Sequence, residues 1–491
     1  MTDFMPFIEC NRSLLIAPAG HGKTTAIADS IMLCPDDECQ LILTHTHAGI
    51  ASLKTKFFQK HIPSSKYKLE TITGFAQRYV LSLLGSFVLP DENDKHYFKI
   101  AVQQCSSLLK SRSIQLILKS SFGGVFVDEY QDCTIDQHDM IMKLAEILPV
   151  HILGDPLQGI FSFENSELVD LETDLCDFSR FELLHHPWRW ECSNPVLGRY
   201  VLSVRNDLEN RRVLHLRDYS KYDIQFVHTS SEENEKYRFL RSILNHDHSD
   251  SVLIICPSYL DANGRLRGDL MDRIKLKQRI DNSDSFVVID AIDSKEYYSC
   301  AKSIDSCIEK CRRSTSVKRV TKLYDDVFGK LHLNKTELNK WIDRGKNAFK
   351  QRKKPNDLIS ASLLSSYGKF ENEVTYENLK ELILAIINLP SIKVYHRTFL
   401  HTLLQCFEIV KLNDITLYEA MKIVKSRARH YGRKVQGKCI GTTLLIKGLE
   451  FDTVILWDAH NFQDAKNFYV AISRACRKLI IMSERSALKF D

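Results

Sequence analysis

The chain has 491 residues, 44% hydrophobic and 26% charged, with a formal net charge of +5. Such a length implies about three to four structural units with large buried cores, and the mild charge permits anion binding without demanding it. Fourteen cysteines without a C-x-x-C pair favour ordinary thiols over a zinc or iron–sulfur centre, although Cys300, Cys307 and Cys311 can line one helix face. The start, Met1-Thr2-Asp3-Phe4, carries no basic, apolar leader, and no apolar run reaches membrane-spanning length. The expected location is the cytoplasm, with no membrane partner.

Reading from the start, Leu14-Leu15-Ile16-Ala17-Pro18-Ala19-Gly20-His21-Gly22-Lys23-Thr24-Thr25 combines a short apolar run, a glycine loop and the opening of a helical pattern. That is a phosphate-binding loop: Gly20 and Gly22 free backbone N–H groups to face a polyphosphate, and the helix N-terminus adds partial positive charge. Lys23 is then placed to reach the β/γ-phosphates and Thr24 Oγ1 to ligate Mg²⁺. Ala17, His21 and Thr25 complete the loop, with Ala17 where the pattern usually has glycine. Gly124-Val125-Phe126-Val127 reads as a buried parallel strand ending in Asp128-Glu129. Asp128 is expected to hold Mg²⁺ through its water shell, and Glu129 to orient the attacking water or accept its proton. A third strand, His151-Ile152-Leu153-Gly154, ends in Asp155-Pro156-Leu157-Gln158. Ligands bind at the carboxyl ends of strands in an open α/β sheet, so the three clusters converge on one nucleotide, ATP with Mg²⁺.

These motifs and those downstream resemble the UvrD/Rep-like helicases of superfamily 1, nearly end to end. Leu41 to Ala48 looks like motif Ia of that family, with Thr44 and His45 in it, and Thr71 to Ala76 like motif Ib. The string Asp128-Glu129-Tyr130-Gln131-Asp132 has the motif II form. Gly154 to Phe161 resembles motif III, where Gln158 would sense the γ-phosphate. Leu184 to Arg189 occupies the place of motif IV, Lys447 to Asp452 that of motif V and Tyr469 to Ala475 that of motif VI. The resemblance implies two RecA-like parallel-sheet cores with ATP between them. It implies Arg189 and Arg474 as the guanidinium groups that stabilise the γ-phosphoryl group, Glu450 on the ribose, and Trp188 stacked on adenine.

For a single strand of DNA, the family pattern points to Thr44, His45, Thr71, Phe161 and Phe163, the aromatics serving as stacking platforms. Phe161 and Phe163 also alternate as a half-buried strand does, which leaves core packing open. Glu164 replaces a usual arginine, and a carboxylate repels a phosphodiester track.

The expected fold is α/β. The first core comprises 1–85 and 119–190, interrupted by a reduced helical insertion over 86–118, with strands near Leu14, Leu41, Val125, Ile152 and Leu183. The second core comprises 191–290 and 439–491, interrupted by a helical, basic insertion over 291–438. From Glu309 to Lys354 there are fifteen Lys/Arg against five Asp/Glu, with Tyr324, Phe328, Trp341 and Phe349 interleaved. That stretch is either a surface for duplex or tailed DNA or a solvated helix face whose aromatics enter the local core. Compact UvrD-like chains of this size resemble the helicase-like subunit of Gabija anti-phage systems, which implies an OLD-family nuclease as partner. Two functions stay open: a 3′→5′ ATP-dependent translocase or helicase on single-stranded DNA, or a nucleotide- and DNA-sensing regulatory subunit that licenses a partner nuclease.

Overall fold

The computed structural model describes residues 2–90, 94, 96–160, 167–281, 285–290, 295–313, 318–351, 357–431 and 437–490. It divides into two compact units, one of residues 1–269 with 432–491 and one of residues 270–431.

The first unit contains two parallel sheets. Six strands form the first: β1 (Arg12–Ile16), β2 (Gln40–Thr44), β3 (Tyr67–Thr71), β4 (Gly124–Val127), β5 (Val150–Gly154) and β6 (Ser179–Phe181), in the spatial order β3-β2-β4-β5-β1-β6. Their apolar runs are continuous because both faces are covered. Leu43, Val127, Ile152 and Leu14 lie side by side across β2, β4, β5 and β1 and enter one buried cluster. Ile42, Phe126, Leu153 and Leu15 enter a second cluster on the opposite face. The edge strand expected near Leu183 is Ser179–Phe181.

Helices Tyr97–Leu108 and Arg112–Ser121, which cover most of the 86–118 stretch, bury Val102, Cys105, Leu109, Ile114 and Leu118 in the first of these clusters. They thicken the first core and form no separate body. The second sheet has, within this unit, β7 (Ile224–His228), β8 (Val252–Ile255), β9 (Lys438–Gly441), β10 (Phe451–Leu456) and β11 (Ala475–Ser483). All run parallel, in the order β7-β11-β10-β8-β9. These are two RecA-like cores.

The chain leaves the second core after β8 and returns at β9, and the helical unit of 270–431 lies between them in sequence. Helices Lys295–Arg313, Arg319–Asp326, Asp357–Asn372, Tyr376–Ile387, Arg397–Asn413 and Leu417–Tyr431 are its main elements. Its core takes in Tyr324, Phe328, Trp341 and Phe349 together with Cys300, Cys307 and Cys311. Of the two readings of the basic stretch, the aromatics favour the second: buried rings cannot stack on bases, and among the described residues the cations around them lie mostly on the solvated side of helices built on an apolar core. Among the described residues, no helix is long and apolar enough to cross a membrane.

Helix Ile135–Ala145 begins with a capping box, in which Thr134 accepts from the Gln137 N–H and the Gln137 side chain from the Thr134 N–H. Thr134→Ala is expected to cost about 1 kcal/mol, read as a lower urea midpoint at unchanged slope.

Candidate functional site

β1 runs into the glycine loop, which enters helix Lys23–Leu33. Gly20 and Gly22 have φ of +73° and +91°, a conformation L side chains resist. Space is short as well: a Cβ on Gly20 would stand 2.8 Å from the Trp190 ring, and one on Gly22 3.2 Å from Trp188. Lys23 is buried, and its Nζ donates to the carbonyl oxygens of Ala17 (2.8 Å) and Pro18 (3.2 Å). His21 is buried with Nδ1 2.9 Å from the Ala19 oxygen, and burial lowers its pKa. Thr24 and Thr25 are half-buried in the first helical turn.

Because β4, β5 and β1 are neighbours, their carboxyl ends bring Asp128, Asp155 and the glycine loop to one edge. Burial, and next the charge of Glu129, pushes the Asp128 carboxyl up to about 7. For Glu129, burial acts upward, but the ammonium groups of Lys447 and Lys23 outweigh it and hold the carboxyl below its ordinary value. Glu129 has φ 56° and ψ 39°, costly for a residue with a side chain, and its carboxylate accepts from the Gln131 amide. Gln131 Oε1 in turn accepts from the Asp155 N–H at 2.9 Å.

The second core supplies cations to the same edge. Arg474 is buried, donating to Val470 O (2.9 Å), Ser473 Oγ (2.9 Å) and Gln158 Oε1 (3.2 Å). Burial, with the charge of Arg189 behind it, lowers its pKa to about 10. Arg189 reaches across to Ser473 O and Glu450 Oε1, both at 2.6 Å, and holds the Glu450 carboxyl below its ordinary range. The Arg189 Nε is buried and has no hydrogen-bond partner among the described residues. Trp188, 59% exposed, stands beside Gly22 and edge-on to His186, whereas Trp190 is fully buried and donates to Ala475 O at 2.6 Å.

The structure thus brings Lys23, Asp128, Glu129, Gln158, Arg189, Arg474, Trp188 and Glu450 around one loop. The strand-binding residues are placed differently. Thr44 and Thr71 end β2 and β3 side by side and are buried, and the Thr71 hydroxyl accepts from the Gly74 N–H (3.0 Å) as cap of helix Ile72–Leu83. His45 Nε2 lies 3.4 Å from Cys133 Sγ, and burial, aided by Lys447, lowers its pKa to about 3, so the ring offers a phosphate no charge. Phe161, Phe163 and Glu164 lie outside the described residues.

Sequence reasoning missed three contributors. Lys447 binds the Asp132 carboxylate and the Gln158 carbonyl; it stood in the motif V string without a role. Trp190 was legible only as one half of Trp-Arg-Trp. Arg205 pairs with Asp155 at 2.6 Å and touches the Tyr469 hydroxyl at 3.2 Å, and no local pattern marks it.

Fold and site together define an α/β chain in which a glycine loop, an acidic pair and two arginines meet at one strand edge. Residues 53–178 match the family model of the UvrD/REP helicase N-terminal domain. Gabija protein GajB of Bacillus cereus (strain VD045) is 25% identical over 140 residues, 26% of this chain and 27% of that protein. The chain therefore spans about a quarter of the length of the curated relative it matches. A crystal structure of Pif1 helicase from Bacteroides in complex with ADP-AlF3 and ssDNA covers 52% of each chain at 14% identity, with a TM-score of 0.28, too loose a likeness to carry a conclusion.

The raised pKa of Asp128 has a measurable consequence. An unfolded Asp loses its proton near pH 3.9, about three units before the folded one. Stability is therefore lost as pH rises through that window and is lowest above about 7. In buffer without nucleotide or metal, Asp128→Asn is expected to melt higher than wild type at about pH 8, the gain shrinking toward pH 5. Calorimetry over that range checks it; a gain independent of pH contradicts it.

Proposed function

We propose that the chain is an ATP hydrolase that binds ATP and Mg²⁺ at this loop and couples hydrolysis to movement on single-stranded DNA in the 3′→5′ direction. The observation that carries the reading is the meeting of Lys23 and the Asp128–Glu129 pair with two arginines, Arg189 and Arg474, that anchor on the second core. The residues fit the groups. Gly20 and Gly22 leave a cradle that a Cβ would fill, the Arg189 Nε is a buried donor without a partner among the described residues, and the Thr24 hydroxyl with the Asp128 carboxylate is the hard oxygen pair that Mg²⁺ prefers.

Thr24 and Asp128 would hold Mg²⁺, which would supply neutralisation of the phosphate charge there. Lys23 exchanges the Ala17 and Pro18 carbonyls for phosphate oxygens. Glu129, held ionised by its cationic neighbours, accepts the proton of the attacking water. Gln158 faces the terminal phosphate, and Arg189 and Arg474 stabilise the charge that builds on it; such an arginine is worth about 10³–10⁵ in rate. Trp188 stacks on the base and Glu450 takes the ribose once Arg189 turns to phosphate.

The GajB likeness supports a second reading of the same site, in an anti-phage complex. There the chain is a nucleotide- and DNA-sensing subunit that licenses a partner nuclease, of the OLD family by resemblance, with little unwinding of its own. Both readings expect hydrolysis to fall by about a hundredfold or more in Lys23→Ala and in Glu129→Gln. They part on DNA. A motor shows hydrolysis strongly stimulated by single strands and unwinds a 3′-tailed duplex alone, whereas a sensor shows weak strand dependence and stable assembly with the nuclease. Full hydrolysis in Lys23→Ala ends both.

A further inference from the structure

Arg205 projects from helix Pro195–Glu209 into the buried space between the two sheets. Its Nη1 is 2.6 Å from Asp155 Oδ1 and 3.2 Å from the Tyr469 hydroxyl, and its Nη2 is 2.9 Å from Glu209 Oε1. Asp155 is fully buried, and its other oxygen accepts from Gln158 Nε2 at 2.7 Å. Gln158 Oε1 then accepts from Arg474 Nη2 at 3.2 Å, while the Tyr469 hydroxyl accepts from the Ala19 N–H of the glycine loop at 3.0 Å.

A primary amide has one donating and one accepting end, and an ionised carboxylate only accepts. With its NH₂ donating to the Asp155 carboxylate, the Gln158 amide has its oxygen toward Arg474. Arg205 is the cation that pairs with that carboxylate in its buried place and fixes where it points. Without it, the Asp155 carboxylate loses the planar donor that fixes it, and the Gln158 amide loses the fixed acceptor that keeps its oxygen turned to the Arg474 guanidinium.

We propose that Arg205 is a positioning residue that, through Asp155, sets the polarity of the Gln158 amide toward Arg474. The inference rests on the ATP-hydrolase reading above and deepens it. Arg205→Lys keeps the charge but gives up the planar fork. It is expected to lower kcat for ATP by about tenfold or more. Affinity for a non-hydrolysable ATP analogue, read by tryptophan fluorescence, and the melting temperature should stay near wild type. In Arg205→Lys combined with Gln158→Ala, the first change should add less than about twofold to the second, because both act through one amide.

Asp155→Asn should show the same non-additivity with Gln158→Ala, and it carries the test where Arg205→Lys does not fold. Penalties that multiply in the double variants, or an unchanged kcat in the single ones, overturn the inference while leaving the hydrolase reading standing. A wild-type chain without Lys23-dependent hydrolysis overturns both.

Discussion

A charge that leaves water must find a partner where it goes, and between the two parallel sheets several charges have left water together. Asp155 meets Arg205, Lys447 meets Asp132, and Arg474 lies among carbonyls, a serine hydroxyl and the Gln158 amide. Arg189 of the first core reaches Glu450 and the Ser473 carbonyl of the second, and Lys447 of the second reaches Asp132 and the Gln158 carbonyl of the first. Satisfying these groups and bringing the two sheets together are therefore the same event. An anion among them competes for donors that otherwise hold the cores to each other, so the site and the contact between cores cannot change independently.

The same edge concentrates backbone cost. Gly20, Gly22 and Glu129 all have positive φ. Two strand ends can carry these conformations because β1 and β4 are fixed by parallel neighbours on either side and by apolar clusters on both faces. Trp190 adds to this by filling the space above Gly20 and tying itself to Ala475. The rigid sheet below the loop and the packed indole above it leave the loop one arrangement.

Different parts of this architecture were legible in the sequence to different degrees. Strands buried on both faces announce themselves as apolar runs, and Leu14, Leu41, Val125 and Ile152 marked four of them. The 86–118 helices were legible as helices, but that their apolar side joins the core of the first sheet depends on which neighbours they meet. Tyr324, Phe328, Trp341 and Phe349 show why spacing runs out: an aromatic every few residues among cations fits a stacking surface and a local core equally. Only the helical packing around them separates the two, by burying the rings.

The sequence alone determined the order of the polar clusters and their placement at strand ends, because those follow from local chemistry: glycine where φ must be positive, lysine and threonine at a helix start, carboxylates where an apolar run stops. The tertiary structure decided which of those groups share a charge. Arg205 and Asp155 are 50 positions apart, and Arg205 and Tyr469 are 264. Nothing in an arginine on an amphipathic helix tells which buried carboxylate it will face, since electrostatic pairing depends on distance in space and on the exclusion of water, both of which exist only once the two sheets have packed.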